Sequence, residues 1–256
     1  MDNFCKIRRR GFTLVELLIA MAVGTVIMAA VYSAMNLALR FSANTDRKVI
    51  TQQDTRAVLD LMAMEIRMAS YNPKMSTSIW SSAIPTTCAT VVSVIGAVTP
   101  NQLNKGIQFA SGNTILFEMD IVPPVLNAAG DIIGYGNGII DANGNEYIMY
   151  SYNSAEKKIT RNVSCGGNQA ILGGTAPDSN VRNNAPDLPA PIDLFQYFDR
   201  NNLPLSVPVS IPDIRRILIT IVTDTLANDT TQSGTPRPRR MIYSTSVIVR
   251  NHALSP

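Results

Sequence analysis

Few residues of this 256-residue chain belong to types that do chemistry on a substrate. Its single histidine, His252, stands four residues from the end of the sequence. There it leaves any serine or cysteine nucleophile without a firmly held base, and its position predicts a solvated tail residue. The sequence contains no P-loop, no HExxH and no CxxC. Gly134-Tyr135-Gly136-Asn137-Gly138 is as rich in glycine as a phosphate loop, but no helix follows to supply an anion-binding N-terminus, so it reads as a turn. Asp141-Ala142-Asn143-Gly144-Asn145-Glu146 offers oxygen ligands at alternate positions, a weak calcium candidate through Asp141, Asn143 and Asn145. The glycine stands fourth rather than sixth and no bidentate glutamate stands twelfth, so an Asn-Gly turn leading into a strand is the better reading. Arg237-Pro238-Arg239-Arg240 could attract phosphate, yet no aromatic side chain interleaves it, and it reads as a solvated hairpin loop. No catalytic residue, metal or cofactor is expected, and no enzyme.

One carboxylate stands apart. Residues 1–11 read MDNFCKIRRRG, with Lys6, Arg8, Arg9 and Arg10 ahead of a long apolar run. From Phe12 to Leu39, about 28 residues, Glu16 is the only charged side chain. As an uninterrupted helix this run spans roughly 40 Å, against a bilayer core of about 30 Å. The basic cluster holds the N-terminus in the cytoplasm and sends everything after Arg40 outside. A secretory signal has a shorter apolar core followed by small-residue cleavage positions, whereas Ala29-Ala30 falls in mid-run. A charged side chain in a membrane helix costs on the order of 3 kcal/mol at the bilayer centre and less near the interface. Glu16 is therefore either an interfacial residue that tolerates its position or one matched by a cation of defined location.

Gly11-Phe12-Thr13-Leu14-Val15-Glu16, after a short basic leader and before an apolar helix, resembles the class III signal of type IV pilins and pseudopilins. The resemblance implies that a prepilin peptidase cuts between Gly11 and Phe12 and methylates the new N-terminus at Phe12. It also gives Glu16 a partner, the α-ammonium of Phe12 on a neighbouring subunit, whose pairing sets axial register in a filament. The charge arithmetic changes with the cut. The whole chain has 22 Lys+Arg, 19 Asp+Glu, net +3 and a pI near 8.8, which by itself suggests an anionic partner. Removing four basic residues and Asp2 with the leader leaves 18 of each sign, so the excess belongs to the leader.

The elements behind these residues follow from composition and periodicity. A hydrophobic fraction of 46% supports a sizeable core, and a mean hydropathy of +0.09 excludes a polytopic membrane protein. After Arg40 the chain turns polar but keeps helical spacing, with Val58, Leu61, Met62, Ile66 and Ala69 on one face. Asn72-Pro73 ends that helix, which the pattern runs from about 12 to 70. The Met-rich stretch 62–68 reads as core packing. Residues 73–87 and 164–191 read as loops. Strands are expected at 89–95, 106–110, 114–121, 146–152, 157–163, 192–198, 213–224 and 241–250, with turns at Ser111-Gly112-Asn113 and Asn153-Ser154-Ala155. The fold class is α+β: a long N-terminal helix, membrane half plus amphipathic half, packed on an antiparallel β-sheet head. The expected division is a cleaved cytoplasmic leader at 1–11, a transmembrane or filament-core helix at 12–39, its amphipathic continuation at 40–72 and a periplasmic β-rich head at 73–256.

This order agrees with the pilin fold, and within that family the chain is most similar to PilW-type minor pilins. The residues behind this are QDTRAVLDLMAMEIRMA, EYIMYSYNSAEKKITRNV, LFQYFDRNN and IRRILITIVTDT. The absence of proline from 12–39 and a head of about 185 residues favour a minor over a major subunit. The resemblance implies a subunit that primes type IV pilus assembly and sits at or near the filament tip, anchored by one span in the inner membrane with its head in the periplasm. Its implied partners are the prepilin peptidase, the major and other minor pilins and the inner-membrane assembly platform; nucleic acid is not expected. The alternatives are a GspJ-like minor pseudopilin of a type II secretion system and, further off, a DNA-uptake subunit. Loss of Cys5 with the leader leaves Cys88 and Cys165 as a pair in an oxidising compartment. A disulfide between them would close roughly 78 residues and contribute about 4 kcal/mol.

Overall fold

Helix α1 runs Leu14–Arg67, a single element of 54 residues. It belongs to a computed structural model that describes residues 11–76, 79–81, 88–96, 101–121, 125–126, 132–133, 136, 138–140, 145–174, 180–184, 188–225 and 239–253. The chain divides into two compact units, Met1–Asp46 and Arg47–Pro256. In the first, helix α1 is long and apolar enough to cross a membrane, with a mean hydropathy of 2.4 over its most apolar window. Its polar side chains satisfy themselves one turn back: the Thr25 hydroxyl donates to Ala22 O, that of Ser33 to Ala30 O, and the Asn36 amide to Tyr32 O. Such bonds satisfy these three donors without water, as an apolar medium requires.

In the second unit the same helix changes character. Val58, Leu59, Met62, Ala63 and Ile66 are buried, together with Thr51 and Thr55, whose hydroxyls donate to the carbonyls of Arg47 and Thr51. Met62 is fully buried, whereas Met64 is exposed, because two residues along a 3.6-residue period point to opposite sides. The expected face included Leu61, which is only half-buried; Leu59 takes its place in the core.

The remaining elements of this unit, in chain order, are helix α2 (Ala89–Ile95), strands β1 (Ile107–Ala110), β2 (Thr114–Glu118), β3 (Val125–Leu126), β4 (Ile132–Ile133), β5 (Tyr147–Asn153), β6 (Lys158–Val163), β7 (Gln169–Gly173), β8 (Asn180–Val181), β9 (Phe195–Phe198), β10 (Arg216–Thr225) and β11 (Arg239–Ile248), then helix α3 (Arg250–Ala253). One antiparallel sheet has the order β1-β2-β5-β6-β7. A second has β11-β10-β8, with β9 pairing β10 at Arg216–Ile219, and β3 pairs β4 separately. The five-stranded sheet is covered on both faces. Ile115 and Phe117 of β2, with Ile148, Tyr150 and Tyr152 of β5, join the α1 cluster, which also contains Ile217, Ile219 and Ile221 of β10. The alternate residues Leu116, Tyr147 and Met149 meet Ile79, Trp80, Cys88 and Val91 on the other face. Period-two alternation between two apolar layers explains why β2 and β5 read as nearly continuous hydrophobic runs.

Two expectations are corrected here. Residues 89–95 form α2 rather than a strand: ATVVSVI is too short and too uniformly apolar for periodicity to assign. The i, i+4 spacing of a helix lets Val91 and Ile95 share the layer under the sheet. The long loop expected at 164–191 contains β7 and β8, where Leu172 and Val181 enter the core.

A close approach fastens the end of α1 to the five-stranded sheet. Ser70 N donates to Glu118 O at 2.9 Å and Asp120 N to Tyr71 O at 2.9 Å. A Cβ at Gly106 would lie 2.4 Å from Ser70 N and 2.6 Å from Glu118 O, so only glycine admits this contact. A polar clamp adds to it. Glu65 on α1 accepts from Arg161 Nη2 at 2.6 Å and Nε at 3.0 Å, and from the Tyr150 hydroxyl. Burial, reinforced by the Glu65 carboxylate, pushes the Tyr150 phenol well above its usual range.

Breaking this clamp strands a half-buried guanidinium and a buried phenol. Glu65→Ala is expected to lower stability by about 3 kcal/mol. Glu156→Ala, which removes the exposed partner of Lys158, should cost less than about 1 kcal/mol. Denaturant unfolding read through Trp80, the single tryptophan, separates them, and equal costs would contradict the clamp.

Candidate processing and assembly site

Gly11, Phe12 and Thr13 precede the first turn of α1 in non-helical backbone. Phe12 is 85% exposed and nothing lies within 4 Å of a Cβ built at Gly11, so the Gly11–Phe12 peptide bond is open to an approaching catalyst without unwinding a helix. Thr13 caps α1. Its Oγ1 accepts from Glu16 N at 3.2 Å, and its carbonyl accepts from Leu17 N at 3.2 Å. Thr13-Leu14-Val15-Glu16 thus carries the T-x-x-E pattern of a capping box, and Glu16 lies in the first turn, where the helix dipole favours an anion. Neither an interfacial position nor a cationic partner for Glu16 includes this local bond to the helix start. The three-residue spacing to Thr13 was the signal for this second, local role.

A capped helix start also defines distances. Phe12 N is four residues before Glu16, directly before the cap. A chain beginning at Phe12 would therefore present an α-ammonium and a carboxylate within the first turns of one helix end. Opposite charges so placed can pair between parallel helices offset along their axes, which is the geometry a register device needs.

The other candidates lie in the second unit. Cys88 and Cys165 are brought together, with Cα atoms 5.4 Å apart, a separation that a disulfide spans. Cys88 opens α2, and Cys165 follows β6 beneath Tyr147, whose hydroxyl donates to its sulfur at 2.9 Å. Of the calcium candidates, Asn145 is exposed, with φ +58°, while Asp141 and Asn143 fall outside the described residues. So do Gly134, Tyr135 and Asn137 of the glycine run, and Arg237 and Pro238 of the basic cluster. Arg240 is not solvated as expected: its Nε lies 3.0 Å from Oδ1 of the buried Asp224.

His252 departs most from expectation. It lies in α3, fully buried, with Nε2 2.8 Å from Ile211 O and Nδ1 3.1 Å from Ser70 Oγ. Because a carbonyl can only accept, Nε2 carries the proton and Nδ1 accepts from the Ser70 hydroxyl. Ser70 Oγ in turn accepts from Gly106 N, and Lys105 Nζ donates to His252 O. A Ser–His pair at hydrogen-bonding distance invites a nucleophile reading, but both residues are buried, and the hydroxyl and both ring nitrogens are committed to holding α3 in place. Burial, aided by the charges of Lys105 and Arg215 and opposed by the bond to Ile211, pulls the imidazole down to about 4. Glu118 moves the other way. Burial, with a further push from Glu146 and against a hydrogen bond from Gln108 Nε2 at 3.1 Å, raises its carboxyl to about 8.

These shifts have opposite signs in stability. Glu118 favours the fold when protonated, so its contribution is full at low pH and is lost as pH rises from about 4.5 through 8. His252 favours the fold when neutral, so its contribution is full above about 6.5 and is lost as pH falls towards 4. Between pH 6.5 and 8 Glu118 acts without opposition from His252, and stability should fall by about 2 kcal/mol. Glu118→Gln should flatten that window while leaving the acid-side loss to His252. A wild-type profile that is flat or rising from pH 6.5 to 8 would contradict the assignment.

Residues 6–32 match the family description "Prokaryotic N-terminal methylation motif", a stretch that contains Gly11, Phe12 and Glu16 and the first turns of α1. No curated protein matches the chain. Among solved structures, a type IV-like pilin from Thermus thermophilus is similar with a TM-score of 0.39 and 11% identity, covering 79% of this chain and 98% of that one. The chain carries a prokaryotic N-terminal methylation motif at the head of an apolar helix long enough to span a membrane.

Proposed function

We propose that this chain is a non-enzymatic, membrane-anchored filament subunit: a minor pilin of PilW type that primes type IV pilus assembly and resides at or near the tip. The observation that carries this reading is the N-methylation motif joined to a single 54-residue helix, apolar at its start and core-forming at its end. In this reading a prepilin peptidase cleaves between Gly11 and Phe12, and Phe12 is N-methylated. The leader's basic residues fix topology before they are removed, and residues 12–39 hold the chain in the inner membrane until extraction. Glu16 then pairs with the Phe12 ammonium of a neighbouring pilin, which neutralises two charges in an apolar setting and fixes the axial offset. The head, periplasmic before extraction, supplies surfaces for other minor pilins, the major pilin and the assembly platform.

The same reading assigns the head an oxidised Cys88–Cys165 pair, which ties α2 to the turn after β6 and closes the layer beneath the five-stranded sheet.

Glu16→Ala is expected to insert and be processed normally but to leave cells with surface pili reduced at least tenfold, counted by electron microscopy. Wild-type piliation in that variant would remove the register mechanism. Thiol titration of the denatured, unreduced mature chain should find no free cysteine, and two after reduction. Two free thiols before reduction would show the pair to be open.

A further inference from the structure

The Cys88–Cys165 bond joins two sulfurs in unlike surroundings. Cys88 is 2% exposed and belongs to the layer beneath the five-stranded sheet, with Trp80, Val91 and Met149. Cys165 is only half-buried, at the rim of that layer, in the turn that joins β6 to the edge strand β7. Gly166 and Gly167 follow it, so neither places a side chain over the sulfur. Nothing lies within 4 Å of a Cβ built at Gly167.

The turn is also the yielding side of the bond. Gly166 N donates to Val163 O at 2.8 Å, and the two enclosed residues, Ser164 and Cys165, have φ of +47° and +60°. Left-handed backbone is unfavourable for both, because neither is glycine. The buried Ser164 hydroxyl has no hydrogen-bond partner among the described residues. Backbone of this kind persists only while its surroundings hold it, and it concentrates where chains react or switch.

Hydrogen bonds add to the contrast. A disulfide sulfur carries no hydrogen, so the Thr90 hydroxyl, 3.4 Å from Cys88 Sγ, is the donor in that contact. Thr90 Oγ1 already accepts from Asn162 Nδ2 at 3.0 Å, which leaves its own proton for the sulfur. Charge arriving on Cys88 Sγ therefore meets a donor inside the fold. Cys165 Sγ has a donor too, the Tyr147 hydroxyl at 2.9 Å, so access decides between them. Thiol–disulfide exchange requires an open path to the sulfur that is attacked, and only Cys165 offers one.

We propose that Cys165 is the exchange site of this disulfide: an external thiol bonds to Cys165 Sγ, and Cys88 is the sulfur released. The proposal rests on the oxidised pair assigned above. The thiolate of a small thiol such as glutathione forms a new S–S bond to Cys165. The Cys88–Cys165 bond breaks, and its electron pair leaves on Cys88 Sγ, which takes a proton from water. The incoming thiol is oxidised to a mixed disulfide and Cys88 is reduced to a thiol. Run backwards, the same route closes the pair, with Cys88 displacing the external sulfur from Cys165.

The test uses the full chain in detergent with Cys5→Ser, so the result does not depend on cleavage at Gly11. Thiol titration in denaturant first decides whether the pair is closed, a separate question from which sulfur exchanges. A closed pair is given reduced glutathione without denaturant, an open one oxidised glutathione. Excess N-ethylmaleimide in denaturant then stops the exchange, and peptide mass spectrometry locates both labels. Either arm should place glutathione on Cys165 and maleimide on Cys88, at least tenfold over the reverse. Because Cys88 can displace the adduct, Cys88→Ala is the variant that retains it. Oxidised glutathione should label Cys165 there at least tenfold faster than it labels Cys88 in Cys165→Ala. Glutathione mainly on Cys88, equal labelling of the two, or no adduct on Cys165 in either experiment would overturn the proposal. So would a preference that persists in denaturant, since the fold would not be its cause.

Discussion

An α-helix satisfies its own backbone whatever surrounds it, and this is the constraint on which everything else here depends. Over its first part α1 carries an apolar surface interrupted by one carboxylate, and Thr25, Ser33 and Asn36 donate to its own carbonyls. From Thr51 onward its buried side chains form the centre of a folded unit. Sheet structure could not do the same, because a strand leaves half its backbone groups to a neighbour and no neighbour is guaranteed in a membrane. The placement of Glu16 follows from the same rule. At the capped start of the helix its charge meets the positive end of the dipole, the least costly position for an anion in such an element.

In the second unit that helix sets what the sheets must be. Its apolar stripe needs an opposing layer, supplied by alternate residues of β2, β5 and β10; the residues in between on β2 and β5 need a layer of their own, supplied by Trp80, Ile79 and α2. Burial on both sides leaves little room for polar groups, and three of those present are held by several partners or by a proton. Glu65 is held by Arg161 and Tyr150, and His252 by Ser70 and Ile211. Glu118 keeps a proton because burial and the charge of Glu146 outweigh its hydrogen bond from Gln108. These groups act as fasteners, which is how the only histidine can sit beside a serine without forming a nucleophile.

The parts legible in the sequence were those fixed by local pattern. The apolar run, the period-four stripe and the hairpin at Ser111-Gly112-Asn113 are each short-range signals, and the α+β class follows from their order. What was missed depends on tertiary context. ATVVSVI is helical because of what lies above it, not because of its residue types. His252 looked solvated because it is near the end of the chain, yet a single turn of helix folds it under Lys105 and Ser70. Two signals were present and overlooked. A glutamate on the apolar stripe, Glu65, called for a basic partner, and the Thr13-x-x-Glu16 spacing called for a cap.

Everything proposed for the filament requires that the motif at Gly11–Glu16 be processed and that the chain act from Phe12 onward. The most direct measurement is the intact mass and N-terminal fragment sequence of the protein recovered from membranes of cells with and without prepilin peptidase. A chain starting at N-methyl-phenylalanine is expected in the first case and the unprocessed leader in the second. A leader retained in both, or a chain starting elsewhere than Phe12, would contradict it.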